Sequence, residues 1–294
     1  MKEYIIMSDS CVDLTQEMAN DLELDIVPLT LNYEGREIKN YLDEREITNK
    51  DFYQAIREHR KMFTSQPNVG EYIEHMERYL KEGKDILNIA FSSSLSGTYN
   101  SSLVAKEELE KKYPHQKIIV IDSLCASMGQ GLLLTYAANL KREGKTIEEV
   151  AEWVESNKLS LCHLFTVGDL NHLRRGGRLS STKAFLGTLL KVKPLLHVSL
   201  EGKLVQTGKT RGRKQSLDAL IERMKNTIVN PKDQIVYISH GDCQEEAEYV
   251  KGKIIEQLGV KDVVINYVGP VIGCHSGIGT LAIFYLGNDR FEAY

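Results

Sequence analysis

Apolar runs alternate with helix-like patterns along the first half of the chain. Short apolar runs predict buried strands at residues 4–7, 25–30, 86–91 and 117–121, and each run ends in polar residues. Helical patterns follow these runs, for example at residues 69–82 and 99–112. Parallel strands need a long crossover connection, which is usually a helix. The alternation therefore favours a parallel sheet wrapped by helices.

Local start and turn signals sharpen these boundaries. Thr48 and Thr146 begin helical patterns, and Asn68 is suited to cap the helix that follows it, because short polar side chains accept hydrogen bonds from the first free N–H groups. Pro67 excludes a helical conformation at the preceding residue. Residues 31–38 predict a small hairpin with Glu34-Gly35 as its turn.

The second half of the chain has a different pattern. Strands are predicted at 160–166, 195–199, 203–209, 234–239, 263–267 and 280–286, and helices at 169–175, 180–190, 210–228 and 245–258. Glu201-Gly202 is a plausible hairpin turn. The predicted fold class is α/β with two domains. Residues 1–157 form an N-terminal parallel-sheet domain, and residues 158–294 form a C-terminal α/β domain with a mixed sheet.

Composition narrows the class of protein. The 294 residues include 41 acidic and 37 basic ones, for a net charge of −4, so the overall balance gives no sign of a nucleic-acid-binding protein. The five cysteines are scattered with no C-x-x-C pair, which disfavours a disulfide framework or a zinc site. Residues 1–9 do not resemble a signal peptide, and no run approaches about 18 apolar residues. We expect a cytoplasmic protein without stable membrane insertion, metal or cofactor.

Two hydroxyl-rich segments are candidate anion-binding sites. Residues 92–98 place serines, Gly97 and Thr98 between a strand and a helix, where free N–H groups and the helix dipole favour an anion. Thr64 and Ser65 form a second hydroxyl cluster, predicted to lie in a short loop before a helix. The alternative is that these residues only cap helices and form turns.

Positively charged and imidazole side chains provide further candidates. His275 lies among Gly273, Gly277 and Gly279, which allow a ligand to approach the backbone closely. The alternative is that His275 is simply packed or solvated and binds no ligand. Residues 174–178 hold three arginines around a Gly-Gly pair, and residues 209–214 are again basic. Arginine binds carboxylates and phosphates through paired hydrogen bonds, although solvated surface charge explains such groups equally well.

Several enzyme signatures are absent. The serine-rich loop does not fit the G-x-S-x-G nucleophile turn. The chain has no phosphate-binding P-loop, no dinucleotide-binding G-x-G-x-x-G after a strand, and no H-E-x-x-H zinc motif. The polar loops are therefore suited to hold an anion rather than to break a bond.

Taken together and in order, the polar motifs resemble those of the DegV family. The N-terminal motifs are Ser8-Asp9-Ser10 with Asp13-Leu14, Thr64-Ser65-Gln66-Pro67, Ser92 to Tyr99, and Asp122-Ser123 followed by Ser127-x-Gly129-x-Gly131. The C-terminal motifs are Leu173-Arg174-Arg175-Gly176-Gly177-Arg178 and the segment from Gly269 to Gly279. They extend over nearly the whole chain.

The resemblance implies a two-domain α/β protein that binds one long-chain fatty acid, such as palmitate, between its domains. It implies a non-enzymatic carrier that presents the carboxylate to a separate fatty acid kinase for acyl-phosphate formation in phospholipid metabolism. The residues that would bind the carboxylate are Thr64, Ser65, Ser93, Ser96, Gly97 and His275. Arg174 and Arg211 would face the kinase or the transferred phosphate.

Burial energetics agree with a carrier. A sixteen-carbon tail buries about fourteen methylenes, which at about 0.8 kcal/mol each contribute roughly 11 kcal/mol before ordering costs. Residues 185–196 are rich in Leu and could line the tunnel or simply form core. Two alternatives remain: a stand-alone phosphotransferase or hydrolase using Ser96 and His275, and a sensor of another small anionic ligand.

Overall fold

The structure is a computed structural model that describes residues 2–180, 192–288 and 290. The strands in these residues are β1 (Tyr4–Asp9), β2 (Leu24–Val27), β3 (Thr30–Tyr33), β4 (Arg36–Lys39), β5 (Met62–Ser65), β6 (Asp85–Ala90), β7 (Ile118–Asp122), β8 (Leu161–Thr166), β9 (Val192–Val198), β10 (Leu204–Arg211), β11 (Ile235–His240), β12 (Asp262–Tyr267) and β13 (Leu281–Leu286). The helices are α1 (Gln16–Asp21), α2 (Asn49–Arg57), α3 (Val69–Lys81), α4 (Thr98–Lys112), α5 (Met128–Arg142), α6 (Ile147–Asn157), α7 (Leu170–Arg175), α8 (Arg213–Thr227), α9 (Gln244–Leu258) and α10 (Pro270–Ser276).

The first sheet has the strand order β2-β1-β6-β7, and all of its strands are parallel. Its strands are buried and lead into helices, as the alternating pattern predicts. Because all four strands run the same way, the loops that follow β2, β6 and β7 lie at one edge of the sheet.

The second sheet is mixed, with the order β10-β9-β8-β13-β11-β12. Among the strand pairs described in this second sheet, β11 and β12 are parallel, and the other pairs are antiparallel. Together the two sheets confirm the predicted α/β class, with a parallel sheet first and a mixed sheet second. The predicted helix at 180–190 and most of the predicted tunnel segment 185–196 lie outside the described residues.

Helix α5 connects the two sheets. It packs on β8, β11 and β13 of the second sheet, and its side chains belong to a core cluster that also contains Leu87 of the first sheet. Gly129 permits this approach, because a Cβ there would come within 2.3 Å of His163 Nε2. One hydrophobic core therefore extends across both sheets, and the domain boundary at residue 157 stays a proposal.

The third sheet, β4-β3-β5, corrects one prediction. The hairpin of residues 31–38 is confirmed, with left-handed φ angles of 50° at Glu34 and 79° at Gly35. Thr64 and Ser65, however, end strand β5 and pair with β3, whereas they were expected in a loop. Four residues are too few to show a periodicity, and the pairing partner lies about thirty residues away.

Two boundaries in the second half also differ from the sequence prediction. Helix α8 begins at Arg213, because β10 continues through Arg211 in its pairing with β9. The glycine-rich stretch before the last strand contains helix α10, which the sequence did not predict. Gly273 explains why this glycine-rich stretch can be helical. A Cβ at that position would lie 2.6 Å from the ring of Phe52, so only glycine allows α10 to pack so closely on α2.

Candidate functional site

A cavity of about 430 Å³ lies between the two large sheets. Loops at the carboxyl edge of the first sheet form one side, and β8, β11 and β13 of the second sheet form the other. Its apolar lining residues are Leu29, Phe91, Leu95, Ala126, Phe165, Val198, Leu204, Val268, Val271, Ile272, Ala282 and Phe284. This size lies within the range of small-molecule sites, which are lined mainly by apolar groups with a few polar ones.

Polar side chains collect at one end of this cavity, which we call the mouth. They are Thr64, Ser65, Gln66, Ser96, Arg178 and His275, together with Gly97. Thr64 comes from β5 and His275 from the last turn of α10, and their side chains are hydrogen-bonded, with 2.8 Å between Thr64 Oγ1 and His275 Nε2. Tertiary structure thus joins two residues that are 211 positions apart.

The hydrogen bonds of His275 determine its tautomer. Its Nδ1 lies 3.0 Å from the carbonyl oxygen of Gly176, which can only accept, and 3.3 Å from Nη1 of Arg178, which can only donate. Because Nη1 makes its shorter contact, 3.0 Å, with that same carbonyl oxygen, we assign the proton to Nδ1. The other nitrogen, Nε2, therefore accepts the hydroxyl hydrogen of Thr64. Burial and, secondly, the nearby Arg178 lower the pKa of His275 to about 4. The imidazole is neutral at neutral pH.

Ser96 and Gly97 form the beginning of helix α4 at the mouth. Gly97 is the N-cap residue and provides no side chain to the first turn of the helix. Ser96 Oγ lies 2.8 Å from Thr98 Oγ1. A Cβ on Gly97 would lie 2.2 Å from Oε1 of Gln66, so glycine lets the Gln66 amide cover this turn. The free N–H groups and the dipole of a fifteen-residue helix favour an anion here.

The other serines of this loop serve the fold. Ser92 and Ser94 donate their hydroxyl hydrogens to the carbonyl oxygens of Gly202 and Glu201, in the turn between β9 and β10. Ser93 donates its backbone N–H to Asp122 and does not line the cavity. The structure therefore separates Ser93 from the other predicted carboxylate-binding residues, which all line the mouth.

Arg174 and Arg211, which were expected to face the kinase or the transferred phosphate, lie outside the cavity, and this expectation stays a prediction. Arg174 is exposed on α7 and does not line the cavity, and Arg211 lies at the far end of β10. Arg178 does line the mouth, and it donates from Nη1 to the carbonyl oxygen of Gly176 at 3.0 Å. The motif of residues 173–178 identified the right segment, but helix α7 ends at Arg175 and the chain turns before Arg178.

The inner wall of the cavity has polar side chains of its own, and each is hydrogen-bonded within the protein. Ser127 donates to Asp13, Ser239 is hydrogen-bonded to Ser127 at 2.9 Å, and Thr280 donates to the carbonyl oxygen of Gly277. His163 donates from Nδ1 to Leu161 and accepts the Ala126 N–H at Nε2. Burial lowers the pKa of His163 well below its ordinary value, so this ring is neutral too.

This distribution gives the cavity a polarity. The mouth holds a helix N-terminus, a guanidinium and hydroxyls, whereas the polar side chains of the inner wall are hydrogen-bonded to each other and to nearby groups of the protein. Sequence reasoning missed Gln66, Arg178, Ser127 and Ser239 as lining residues. Gln66 and Arg178 lie within motifs that the sequence does reveal, but Ser239 lies in an ordinary strand pattern and gives no signal.

Within residues 2–180, 192–288 and 290, no group of three or more His, Cys, Asp or Glu side chains is placed to hold a metal ion. No helix in the described part of the chain is long and apolar enough to cross a membrane.

The fold and the cavity define an α/β protein with two large sheets that enclose a mostly apolar chamber with a polar mouth. The DegV family model, described as an uncharacterised protein family, matches residues 4–288. The chain belongs to the DegV family.

Relatives and solved structures extend over the whole chain. A DegV domain-containing protein of Clostridium perfringens is 48% identical over 290 residues, covering 99% of each chain. A DegV family protein from Thermus thermophilus, described by its fatty acid binding, superposes with a TM-score of 0.88 at 29% identity and covers 97% of this chain and 100% of its own. DegV from Bacillus subtilis, described as a fatty acid binding protein, superposes with a TM-score of 0.85 at 29% identity and covers 98% of this chain and 100% of its own.

Proposed function

We propose that this protein binds one long-chain fatty acid, such as palmitate, in the cavity between its two sheets. The observation that carries the proposal is the polarity of the chamber: apolar walls lead to an end that holds the N-terminus of α4 and the exposed guanidinium of Arg178. A carboxylate buried without donors would be strongly unfavourable, so the acid group belongs at the mouth. The solved relatives described as fatty acid binding proteins support the same ligand class.

Native mass spectrometry of protein purified from bacteria tests the ligand. We expect a mass excess that corresponds to one fatty acid, and extraction followed by chemical identification should name it. A protein that stays free of lipid after gentle purification and incubation with palmitic acid would contradict the proposal.

The finer proposal is that the protein has no catalytic activity of its own and presents the carboxylate to a partner kinase in the cytoplasm, which forms the acyl phosphate. The carboxylate at the mouth would lie beside Arg178, which is exposed and can pair with a phosphate. This geometry favours Arg178 over Arg174 as the phosphate-facing residue. Arg211 is the last residue of β10, outside the cavity lining, and would contact the kinase.

A kinase-coupled assay separates these roles. Arg178→Ala should weaken fatty acid binding only slightly, because the tail dominates affinity. It should reduce acyl-phosphate formation about a hundredfold or more, since a charge-assisted pair to the transferred group is lost. Arg174→Ala is the matched control on the same segment and should have a small effect. Equal losses in the two variants would contradict the assignment to Arg178.

Ser96→Ala and His275→Ala should impair phosphorylation of the bound lipid more than lipid binding itself. The tail dominates affinity, whereas the head group must be oriented for transfer. Equal loss of binding and phosphorylation would show that the head-group assignment is wrong.

The stand-alone hydrolase alternative gains no support from the geometry. Ser96 pairs with Thr98, and the ring of His275 pairs with Thr64 and Gly176, so Ser96 and His275 do not form a nucleophile–base pair. Turnover of an acyl phosphate or ester by the purified protein alone, lost in Ser96→Ala, would restore that alternative.

A further inference from the structure

Ser127 has a backbone conformation that is nearly confined to glycine. Its φ is 54° and its ψ is −148°, at the N-cap of α5. The residue is 5% exposed and lines the inner wall of the cavity. A serine persists in such a conformation only where its surroundings hold it there.

Asp13 is the residue that holds it. Ser127 donates its hydroxyl hydrogen to Oδ2 of Asp13, and Asp13 is itself 5% exposed, with a left-handed φ of 51°. The other carboxylate oxygen, Oδ1, accepts the backbone N–H of Gly269 at 3.0 Å. A Cβ on Gly269 would lie 2.7 Å from this oxygen, so glycine permits the contact. One buried carboxylate therefore joins the cavity wall to the residue that precedes α10.

Helix α10 transmits this contact to the mouth. Gly269 is its N-cap, Val271 and Ile272 line the cavity, and His275 lies in its last turn. The helix is seven residues long, so a shift of its first turn moves His275 as well.

We propose that Asp13 is a positioning residue of the head-group site, which holds Ser127 and the start of α10 in one arrangement and so sets the placement of His275 against Thr64. This inference rests on the proposed function, because the placement of His275 matters only if a fatty acid carboxylate binds at the mouth. Neither Asp13 nor Ser127 touches that carboxylate in this arrangement; they act through α10.

The electrostatic surroundings allow Asp13 to change its charge near neutral pH. Burial raises the pKa of Asp13 to about 7, and burial raises that of Asp9, which faces it, to about 6. Cys11 and Tyr53 also face Asp13, and burial raises the pKa of each well above its ordinary value, so both stay neutral. Across a polar cavity of about 80 Å³, which gives protons access, Asp13 faces Tyr41, Glu44 and Tyr267.

The sign of the effect follows from its two hydrogen bonds. The bonds from Ser127 and Gly269 both lower the pKa of Asp13 against the larger effect of burial, so both bonds favour the ionised carboxylate. Protonation as the pH falls through about 7 therefore weakens the hold on Ser127 and on the start of α10.

Histidine NMR on the full chain tests the inference. The ring signal of His275, assigned with His275→Gln, is followed from pH 8.5 to 5.5, where this residue stays neutral because its pKa is lowered to about 4. We expect an inflection near pH 7 that Asp13→Asn removes. The control Asp9→Asn should retain the inflection at a lower pH, because the charge of Asp9 helps to raise the pKa of Asp13. His172 and Arg178 also face His275 and can change its ring signal. The test is therefore the part of the pH-dependent change in the signal that differs between Asp13→Asn and Asp9→Asn.

A second measurement follows the release of palmitic acid at pH 8. Asp13→Asn should release it about tenfold faster than the wild-type protein, the size expected when hydrogen bonds to a charged group are lost. If the inflection persists in Asp13→Asn, or release occurs at the wild-type rate, the inference is overturned.

Ser127→Gly keeps the inference testable if Asp13→Asn does not fold. Glycine relieves the backbone strain and removes the hydroxyl, so the inflection should move to higher pH, and an unchanged midpoint would count against the role of Asp13. If the wild-type protein binds no fatty acid, the proposed function fails, whereas the NMR titration still tests the link from Asp13 to His275.

Discussion

Thr64 holds a single hydroxyl proton, and two groups compete for it when a carboxylate binds. Without ligand this proton is donated to Nε2 of His275. A carboxylate only accepts hydrogen bonds, so Thr64 can serve it only if His275 Nε2 becomes a donor. Because Nδ1 already donates to Gly176, the ring would then hold two protons and a positive charge.

Fatty acid binding should therefore be coupled to proton uptake by His275. Its pKa is about 4 in the free protein and should rise when the carboxylate binds. In Asp13→Asn, where protonation of Asp13 cannot act in the opposite direction, affinity should therefore increase as the pH falls from 8 to 6, by up to about tenfold per pH unit. Calorimetry in buffers of different ionisation enthalpy measures this uptake. Thr64→Val should abolish it, and an equal uptake in that variant would place the proton on another group.

Gly97 shows how one missing side chain shapes the mouth. Gly97→Ala would force the Gln66 amide aside and break its 3.0 Å hydrogen bond to Ser101. We expect a stability loss of about 1 kcal/mol and weaker fatty acid binding, measured by urea unfolding and fluorescence titration. Gly252→Ala, on the open face of α9 with nothing within 4 Å of the new Cβ, is the control and should be neutral or slightly stabilising.

At the scale of single elements, α10 and β5 carry the site, and both escaped prediction. Strand β5 is short, and it is a strand because it pairs with β3. Helix α10 begins after Gly269 and contains Gly273, which lowers helix propensity, but close packing on α2 requires glycine at position 273. By contrast, the helices with strong caps were predicted well, and Asn68 forms a capping box with Glu71 as its polar pattern suggests.

Gly273→Ala tests the placement of α10. The added methyl would press on Phe52, so we expect overpacking to destabilise the fold by about 1 to 3 kcal/mol and to weaken fatty acid binding, because α10 shifts away from the mouth. Asn68→Ala is the matched control, with a similar loss of about 1 kcal/mol from the lost cap but no loss of affinity. Equal effects on affinity in the two variants would show that binding follows general stability.

At the scale of the whole molecule, the cavity exists because the loops at one edge of the first sheet pack against the face of the second sheet. The parallel sheet provides the loops after β2, β6 and β7, and the mixed sheet provides the opposite wall. Ala282 on β13 pairs with Phe165 on β8, and both side chains line the chamber. A ligand that fills this chamber should stabilise the whole fold, since it binds only the folded state.

Ala282→Phe should shorten the space available to the acyl chain. We expect the variant to bind a sixteen-carbon acid at least tenfold more weakly and a ten-carbon acid with a much smaller loss. Palmitic acid at a concentration that saturates the wild-type protein should no longer raise the melting temperature of the variant. Val104→Phe, at a position 44% exposed on α4, is the size-matched control. A uniform loss for both chain lengths would place Ala282 away from the tail.

Local patterns in the sequence determined the α/β class, most strand and helix positions, the caps and the hairpin at Glu34-Gly35, because these depend on residues a few positions apart. The motifs also singled out Thr64, Ser96 and His275. Only the tertiary structure decided that Thr64 meets His275, that Arg178 rather than Arg174 reaches the mouth, and that Asp13 holds the start of α10. Such contacts join residues far apart in the chain, and periodicity reports on near neighbours alone.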